Sequence, residues 1–392
     1  IERKYYKNEL YQILKTQSEF HEELRDKQLY IACLNELYPN NEPRRNSIST
    51  RDFCHLFIED IIFYQRPLKS KKSLIDNCPY EENRYIDKES GCLTELGIKA
   101  LEPYKVNNAV ILAAGSSTRF IPLSLEQPKG LFEVRGEKLI ERQIEQLQNA
   151  GIKNITIVLG YKKEMFFYLE DKYGVKFIIN DSFNIKNNIE SLYLAKEELK
   201  NTYICVSDSY YIENPFNQYE YITYYSGYRG NLITEEIYAD VDSDGKIVCM
   251  DNKPVDNGYI LMGHSFWKKE FSDSFINVME DIRDDGKYNN SYWEILLKDK
   301  LSDLPSMYVR EYKKGNIFEF DYFEELRKFD SQYLGYTHSE IIRNIKLVFR
   351  CDEEDIVAFR NVSEGMTNIS FIFNIDGVDY IYRHPGDGTE SI

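Results

Sequence analysis

Four side chains in the middle of the chain have the types and spacing to work on a polyphosphate: Arg119, Lys129, Asp208 and Asp321. Arg119 and Lys129 follow the stretch Leu112-Ala113-Ala114-Gly115-Ser116-Ser117-Thr118, and Lys129 sits within Pro128-Lys129-Gly130. A loop of small residues can turn its backbone N–H groups toward an anion at close range. Two cations beside it can polarise an α-phosphate and help pyrophosphate leave. Asp208, in Ser207-Asp208-Ser209, and Asp321, in Glu319-Phe320-Asp321, are carboxylates of the kind that hold Mg2+ against phosphates. A lone Asp is more often a turn or cap residue. Two carboxylates joined to a phosphate loop and two cations point instead to nucleotidyl transfer. The loop is not a P-loop, because no Gly-Lys-Ser/Thr closes it. Nor is it a dinucleotide fingerprint, because the second and third glycines are missing.

The surrounding pattern predicts the elements that position these groups. Ala109–Ala113 is apolar without alternation, as in a parallel strand buried on both faces. A helix is expected over Ile140–Ala150, ended by Gly151. Strands are expected at Ile155–Gly160, Val175–Ile179 and Tyr203–Val206, separated by helices at Lys163–Tyr173 and Ile189–Leu199. Such alternation predicts an α/β fold with a doubly wound, mostly parallel, Rossmann-like sheet. Ligands bind at the carboxyl ends of its strands, which puts Gly115, Gly160, Asn180 and Asp208 on one rim. Beyond Asp208, the turn Asp242-Ser243-Asp244-Gly245 predicts a hairpin between Glu236–Ala239 and Lys246–Met250. A strand at Tyr259–Phe266, helices at Phe271–Ile282 and Tyr292–Leu297, and late strands at Met307–Tyr312 and Ile317–Asp321 complete the domain. The expected divisions are a helical segment 1–91, a linker helix 92–106 capped by Thr94 and ended before Pro103, the main domain 107–335, and a unit 336–392. That last unit opens with a helix at Ser339–Val348.

Bulk properties narrow the function classes. The chain has 392 residues, too many for one ordinary domain. Its net charge of −16 disfavours nucleic acid as the partner of the whole chain. Arg66, Lys69, Lys71 and Lys72 form a local basic run that could grip a phosphate backbone, though a solvated loop is the simpler reading. The seven cysteines form no CxxC pair, which suits reduced thiols in a cytoplasmic protein. No apolar run is long enough for membrane insertion. The chain opens on Ile1 rather than Met, as expected of a fragment or processed form.

Three stretches resemble known families. Leu112-Ala113-Ala114-Gly115, Thr118-Arg119 and Pro128-Lys129-Gly130 resemble the signature of sugar-phosphate nucleotidyltransferases. With Gly160-Tyr161, Asn187-Asn188, Ser207-Asp208, Tyr292-Trp293-Glu294 and Phe318-Glu319-Phe320-Asp321, residues 92 to about 330 resemble LicC-type CTP:phosphocholine cytidylyltransferases. The resemblance implies that CTP and phosphocholine give CDP-choline and pyrophosphate, with Mg2+ on Asp208 and Asp321 and the phosphates on Arg119 and Lys129. It implies nucleotide contacts at Leu112, Ala113, Ala114, Gly115, Ser116, Gly160, Tyr161 and Asn188. A trimethylammonium head has no strong hydrogen bonds to make and is held by aromatic faces and carboxylates. Tyr193, Tyr292, Trp293 and Glu319 are the expected cage, although aromatic core packing is an equal alternative for each. This chain has Glu236-Ile237 where the family tends to carry Glu-Trp. A sugar phosphate or other phosphorylated small molecule is the alternative acceptor. A nucleic-acid module carrying an inert transferase fold is the alternative of another class. Phe63 to Leu74 and Asn77-Cys78-Pro79 resemble part of the recognition lobe of type II CRISPR RNA-guided nucleases, with no nuclease motif beside them. Glu364-Gly365-Met366-Thr367-Asn368 and Tyr382-Arg383 resemble the start of a choline kinase-like domain, truncated before its catalytic motifs.

Overall fold

Six consecutive buried residues form strand β1 (Asn108–Ala113) at the centre of a nine-stranded sheet. A computed structural model of the chain describes Glu95 and residues 101–230, 236–254, 258–283, 286–335, 338–362 and 368–385. The segment 1–91, with Arg66, Lys69, Lys71 and Lys72, lies outside the described residues, as does the glycine turn at Glu364–Thr367. Of the linker, only Glu95 and the residues from Leu101 onward are described. Pro103 falls inside a 3-10 turn, Glu102–Tyr104.

After β1 the chain crosses through α1 (Leu139–Asn149) to β2 (Ile155–Leu159), through α2 (Tyr168–Tyr173) to β3 (Lys176–Ile179), and through α3 (Asn188–Leu194) to β4 (Thr202–Val206). Helix α1 packs Leu139, Ile140, Ile144 and Leu147 inward, and Gly151 reverses the chain at φ +86° after its end. β1 pairs in parallel with β2 and with β4, and β2 with β3. The expected alternation is therefore present. The expected helices Lys163–Tyr173 and Ile189–Leu199 each resolve into an α-helix and a 3-10 turn.

Past Asp208 the chain builds an antiparallel flank. β5 (Ser209–Tyr211) leads to β6 (Tyr224–Arg229), β7 (Tyr238–Val241), β8 (Ile247–Asp251) and β9 (Tyr259–Trp267). β9 runs antiparallel to β4, extending the sheet, and also pairs with β6 and β7. The hairpin between β7 and β8 turns where expected, with Gly245 at φ +79°. Helices α4 (Lys269–Asp281) and α5 (Trp293–Lys300), then strands β10 (Tyr308–Glu311) and β11 (Ile317–Glu319), complete the domain. β11 pairs antiparallel with β5 and sets Glu319 opposite Ser209. Among the described residues no helix is long and apolar enough to cross a membrane.

The C-terminal residues do not stand apart. Helix α6 (Phe323–Phe329) leads to α7 (Glu340–Phe349), capped by the Ser339 hydroxyl, and to the antiparallel strands β12 (Val357–Val362), β13 (Asn368–Ile375) and β14 (Val378–Pro385). Their apolar faces share one cluster with Phe120, Ile121, Phe132 and Leu139 from the segment between β1 and α1.

Beneath the antiparallel flank lies a polar core. Buried Glu220 accepts both guanidinium arms of Arg310 at 2.5 Å, and Arg310 lies 3.8 Å over the Tyr224 ring. His264 packs beside Tyr224 and Tyr203 and is 1% exposed. Burial, helped by the Arg310 charge, pushes its imidazole down to about 3. Between its ordinary value near 6.5 and about 3, the unfolded chain binds a proton that the folded chain refuses. Stability contributed by neutral His264 is thus complete above that ordinary value and lost as pH falls, by up to about 1.4 kcal/mol per pH unit. Thermal melts from pH 7 to pH 4 are expected to show a shallower fall in His264→Asn than in the parent. An identical fall would contradict this account.

Candidate active site

At the carboxyl ends of β1 and β4 the sheet opens into a cavity of about 750 Å³. One wall is the loop after β1. The backbone N–H groups of Gly115, Ser116, Ser117 and Thr118 make no backbone hydrogen bond among the described residues. A Cβ built on Gly115 would meet nothing within 4 Å, so space remains where an anion could approach the backbone. Leu112, Ala113, Ala114, Arg119 and Lys129 line the same wall.

Facing it stand carboxylates delivered by strand ends. Asp208 follows β4, and Asp321 follows β11. The ladder between β5 and β11 holds these ends together. Each carboxylate meets one cation of the loop: Lys129 Nζ lies 2.7 Å from Asp208 Oδ2, and Arg119 Nη2 lies 2.7 Å from Asp321 Oδ1. Lys129 is largely buried, its ammonium 4.6 Å from the Phe120 ring centre. Glu319 accepts the Gly263 N–H at 3.0 Å. A bulge in β9, between Leu261 and Ser265, aims that N–H. Gly263 is at φ +85°, and a Cβ there would fall 2.9 Å from Ile317, so a side chain is excluded twice over.

Two further carboxyls, Glu236 and Glu294, line the cavity with Asp208, Glu319 and Asp321. Desolvation, then the charges of Asp321 and Asp208, push the Glu236 carboxyl above the ordinary range. Desolvation, then Glu236 and Asp208, do the same to Glu319. Asp321 is raised by desolvation against the opposing pull of Lys129 and Arg119. Glu294 is pushed up to about 7 by desolvation, with hydrogen bonds from Asn188 and Tyr225 opposing. Asp208 and Asp321 already match the two cations, so Glu236, Glu294 and Glu319 are left without counter-charge and favour their protonated forms.

The residues present fit a divalent cation. Asp208 Oδ1 is buried and accepts no hydrogen bond among the described residues, which leaves one carboxylate oxygen available as a ligand. No group of three or more His, Cys, Asp or Glu among the described residues could cage a metal alone. A carboxylate pair suits Mg2+, which keeps waters and takes its remaining ligands from substrate phosphates.

Of the expected cage, Tyr292 and Glu319 line the cavity, while Trp293 and Tyr193 do not. Trp293 is buried, stacked on Tyr225 at 5.5 Å and edge-on to Trp267 at 5.4 Å. Asn188 accepts its backbone N–H at 2.8 Å as α5 begins, which turns its ring into the core and leaves Tyr292 at the cavity. Tyr193 points away because Asn188 and Ser191 occupy the cavity face of α3. Its ring lies under Arg283 at 3.7 Å instead. Gly160 and Tyr161 brace the loop from behind rather than lining the cavity. A Cβ on Gly160 would sit 2.7 Å from the Ala114 carbonyl oxygen. Tyr161 donates its N–H to that same carbonyl at 3.1 Å and its hydroxyl to Ser124 O at 2.9 Å. Tyr225 was not anticipated, and Glu236 and Glu294 stood within motifs without a role at the site. Tyr225 sits beside another tyrosine, where alternation gives no face; Glu236 was noted only beside Ile237, and Glu294 only beside Trp293.

Comparison with known proteins places this geometry. The family model for the MobA-like NTP transferase domain matches residues 109–214. The choline-phosphate cytidylyltransferase of Streptococcus pneumoniae is 38% identical over 225 residues, 57% of this chain and 96% of that protein. The 2-aminoethylphosphonate cytidylyltransferase of Lancefieldella rimae is 31% identical, over 58% of this chain and 93% of that protein. The solved structure of the S. pneumoniae CTP:phosphocholine cytidylyltransferase, LicC, superposes with a TM-score of 0.55 at 36% identity, covering 57% of this chain and 97% of that one.

Proposed function

The chain belongs to the choline-phosphate cytidylyltransferase family of nucleotidyltransferases, and we propose that it transfers CMP from CTP to phosphocholine, releasing pyrophosphate. The observation that carries this reading is the pair of ion pairs across the cavity, Lys129 to Asp208 and Arg119 to Asp321. A metal–triphosphate brings both charges that these pairs now satisfy for each other, so it can separate them without leaving either uncompensated. Gly115 to Thr118 and the two cations then take the phosphates, and Asp208 and Asp321 hold the metal. Mg2+, when bound, neutralises the triphosphate and stabilises charge on the transferred phosphoryl group.

A phosphate oxygen of phosphocholine attacks the α-phosphorus in line. The bond from that phosphorus to the bridging oxygen of the β-phosphate breaks, and pyrophosphate departs with the electron pair. Little covalent chemistry is asked of the chain beyond positioning. Lys129 and Arg119 compensate the negative charge gathering on the leaving group. Tyr292 and Tyr225 offer rings, and Glu236, Glu294 and Glu319 offer carboxyls that can ionise against an arriving cation, to the trimethylammonium head. The same carboxyls, with Ile237 where an aromatic wall is expected, favour a second reading: a phospho or phosphono acceptor bearing a primary ammonium, which can donate hydrogen bonds to them.

Pyrophosphate release with CTP and a panel of acceptors decides between these. Phosphocholine is expected to give the highest kcat/KM. Tyr292→Ala is expected to raise its KM by about tenfold, the scale of one cation–aromatic contact. Preference for 2-aminoethylphosphonate or phosphoethanolamine supports the second reading, and turnover of phosphosugars alone overturns both. This reading sets the enzyme in the cytoplasm, in keeping with Cys205, Cys249 and Cys351, which form no disulfide among the described residues. It leaves nucleic acid no role beyond the run Arg66–Lys72.

A further inference from the structure

The segment that carries Arg119 and Lys129 is buried on its far side under the C-terminal unit. Phe120, Ile121 and Phe132 share an apolar cluster with Ile341, Ile342 and Phe371. A polar contact fixes how the two surfaces register. The Glu126 carboxylate accepts the Ile341 N–H at 2.8 Å and the Ser339 hydroxyl at 3.2 Å, and Ser339 Oγ accepts the Ile342 N–H at 3.1 Å. Glu126 therefore sits on the first turn of a 10-residue helix, α7, where N–H groups lack partners within the helix and the dipole favours an anion. Three positions on, Lys129 rests over Phe120 and ends on Asp208. Phe120 is thus shared: one part of its surface meets the cluster, and its face meets the ammonium. Glu126 itself does not line the cavity.

We propose that Glu126 is a positioning residue that docks the Lys129 segment on the N-terminus of α7, so that the C-terminal unit sets the competence of the nucleotide site. The proposal rests on the function given above for that site. It makes residues 338–385 part of the transferase rather than a passenger. The contact acts on the placement of a cation, so the chemical step suffers and acceptor binding does not.

The test uses the full chain with Glu126→Ala, Glu126→Gln and Ser339→Ala. Two readouts are taken: steady-state pyrophosphate release from CTP and phosphocholine, and amide hydrogen exchange at Leu131 and Phe132. The N–H groups of these two residues bond the carbonyls of Pro128 and Lys129. Glu126→Ala is expected to lower kcat by roughly tenfold to 10²-fold, the cost of misplacing a catalytic group by about 1 Å, with KM for phosphocholine unchanged. Exchange at Leu131 and Phe132 is expected to accelerate. Glu126→Gln, which keeps a carbonyl acceptor, is expected to recover most of both. Ser339→Ala, the gentler change, is expected to move both in the same direction by less. Parent-level kcat in Glu126→Ala, or a fall in kcat without faster exchange, overturns the proposal. If the parent releases no pyrophosphate with any acceptor, the assigned reaction fails. Exchange then decides alone, and unaltered exchange in Glu126→Ala overturns the coupling.

Discussion

Asp208→Ala is expected to slow pyrophosphate release by about 10³-fold, the range that corresponds to several kcal/mol of lost charge stabilisation at a metal site. Asp321→Ala is expected to follow in the same direction. The melting temperature should change little in either variant. Removing one carboxylate leaves a cation short of its partner, yet it also relieves the crowding that lifts Glu236 and Glu319. The loss should not be rescued by excess Mg2+, because Asp208 offers a buried, unpartnered oxygen that no neighbour can replace. Pyrophosphate release across a Mg2+ titration, with a thermal melt of each variant, is the measurement. Full activity in either variant would remove the metal assignment.

Lys129→Ala is expected to lower kcat by on the order of 10²- to 10³-fold, as for loss of one preorganised charge-stabilising group. Its effect on stability should differ from that of Asp208→Ala. The ammonium is the buried counter-charge to Asp208 and also tempers Asp321 and Glu319. Without it the carboxyls repel, so the variant should melt earlier in metal-free buffer. Mg2+, which binds the folded state, should raise its melting temperature more than it raises the parent's. Lys129→Arg should not restore the rate. A planar guanidinium cannot replace a compact ammonium between the Phe120 face and Asp208. A parent-like kcat in Lys129→Ala would show that the leaving group departs without this cation.

Much of this was legible beforehand because it is written in local pattern. The unbroken apolar run at Ala109–Ala113 has the pattern of a doubly covered strand, and the strand-helix rhythm after it pointed to the parallel half of the sheet. Asp208 and Asp321 were legible because strand ends carry ligands in such folds. What stayed hidden depended on facing directions decided by tertiary contacts. Trp293 follows Tyr292 directly, and nothing in Tyr-Trp-Glu says which ring turns inward; the Asn188 side chain, more than 100 residues away, decides it. Tyr193 looked like a cage wall by type, but the register of α3 gives the cavity to Asn188 and Ser191. Gly160 drew attention as a ligand contact, whereas its missing side chain serves the approach of two backbone segments. The dock between Glu126 and α7 joins residues 215 positions apart, so sequence proximity could not reveal it.

The short ladder of β5 and β11 has a consequence for how the molecule comes into being. It closes a loop that begins at Ser209 and ends at Glu319, and the carboxylates beside its two ends acquire their relation only when it forms. Closing so long a loop is entropically costly, and pairings of this separation are slow to form. The phosphate loop takes its shape from β1 and the segments packed on it, whereas the carboxylate pair exists only where this ladder is closed. Catalytic competence is therefore a property of the closed chain as a whole, lost wherever the ladder opens even if the phosphate loop persists.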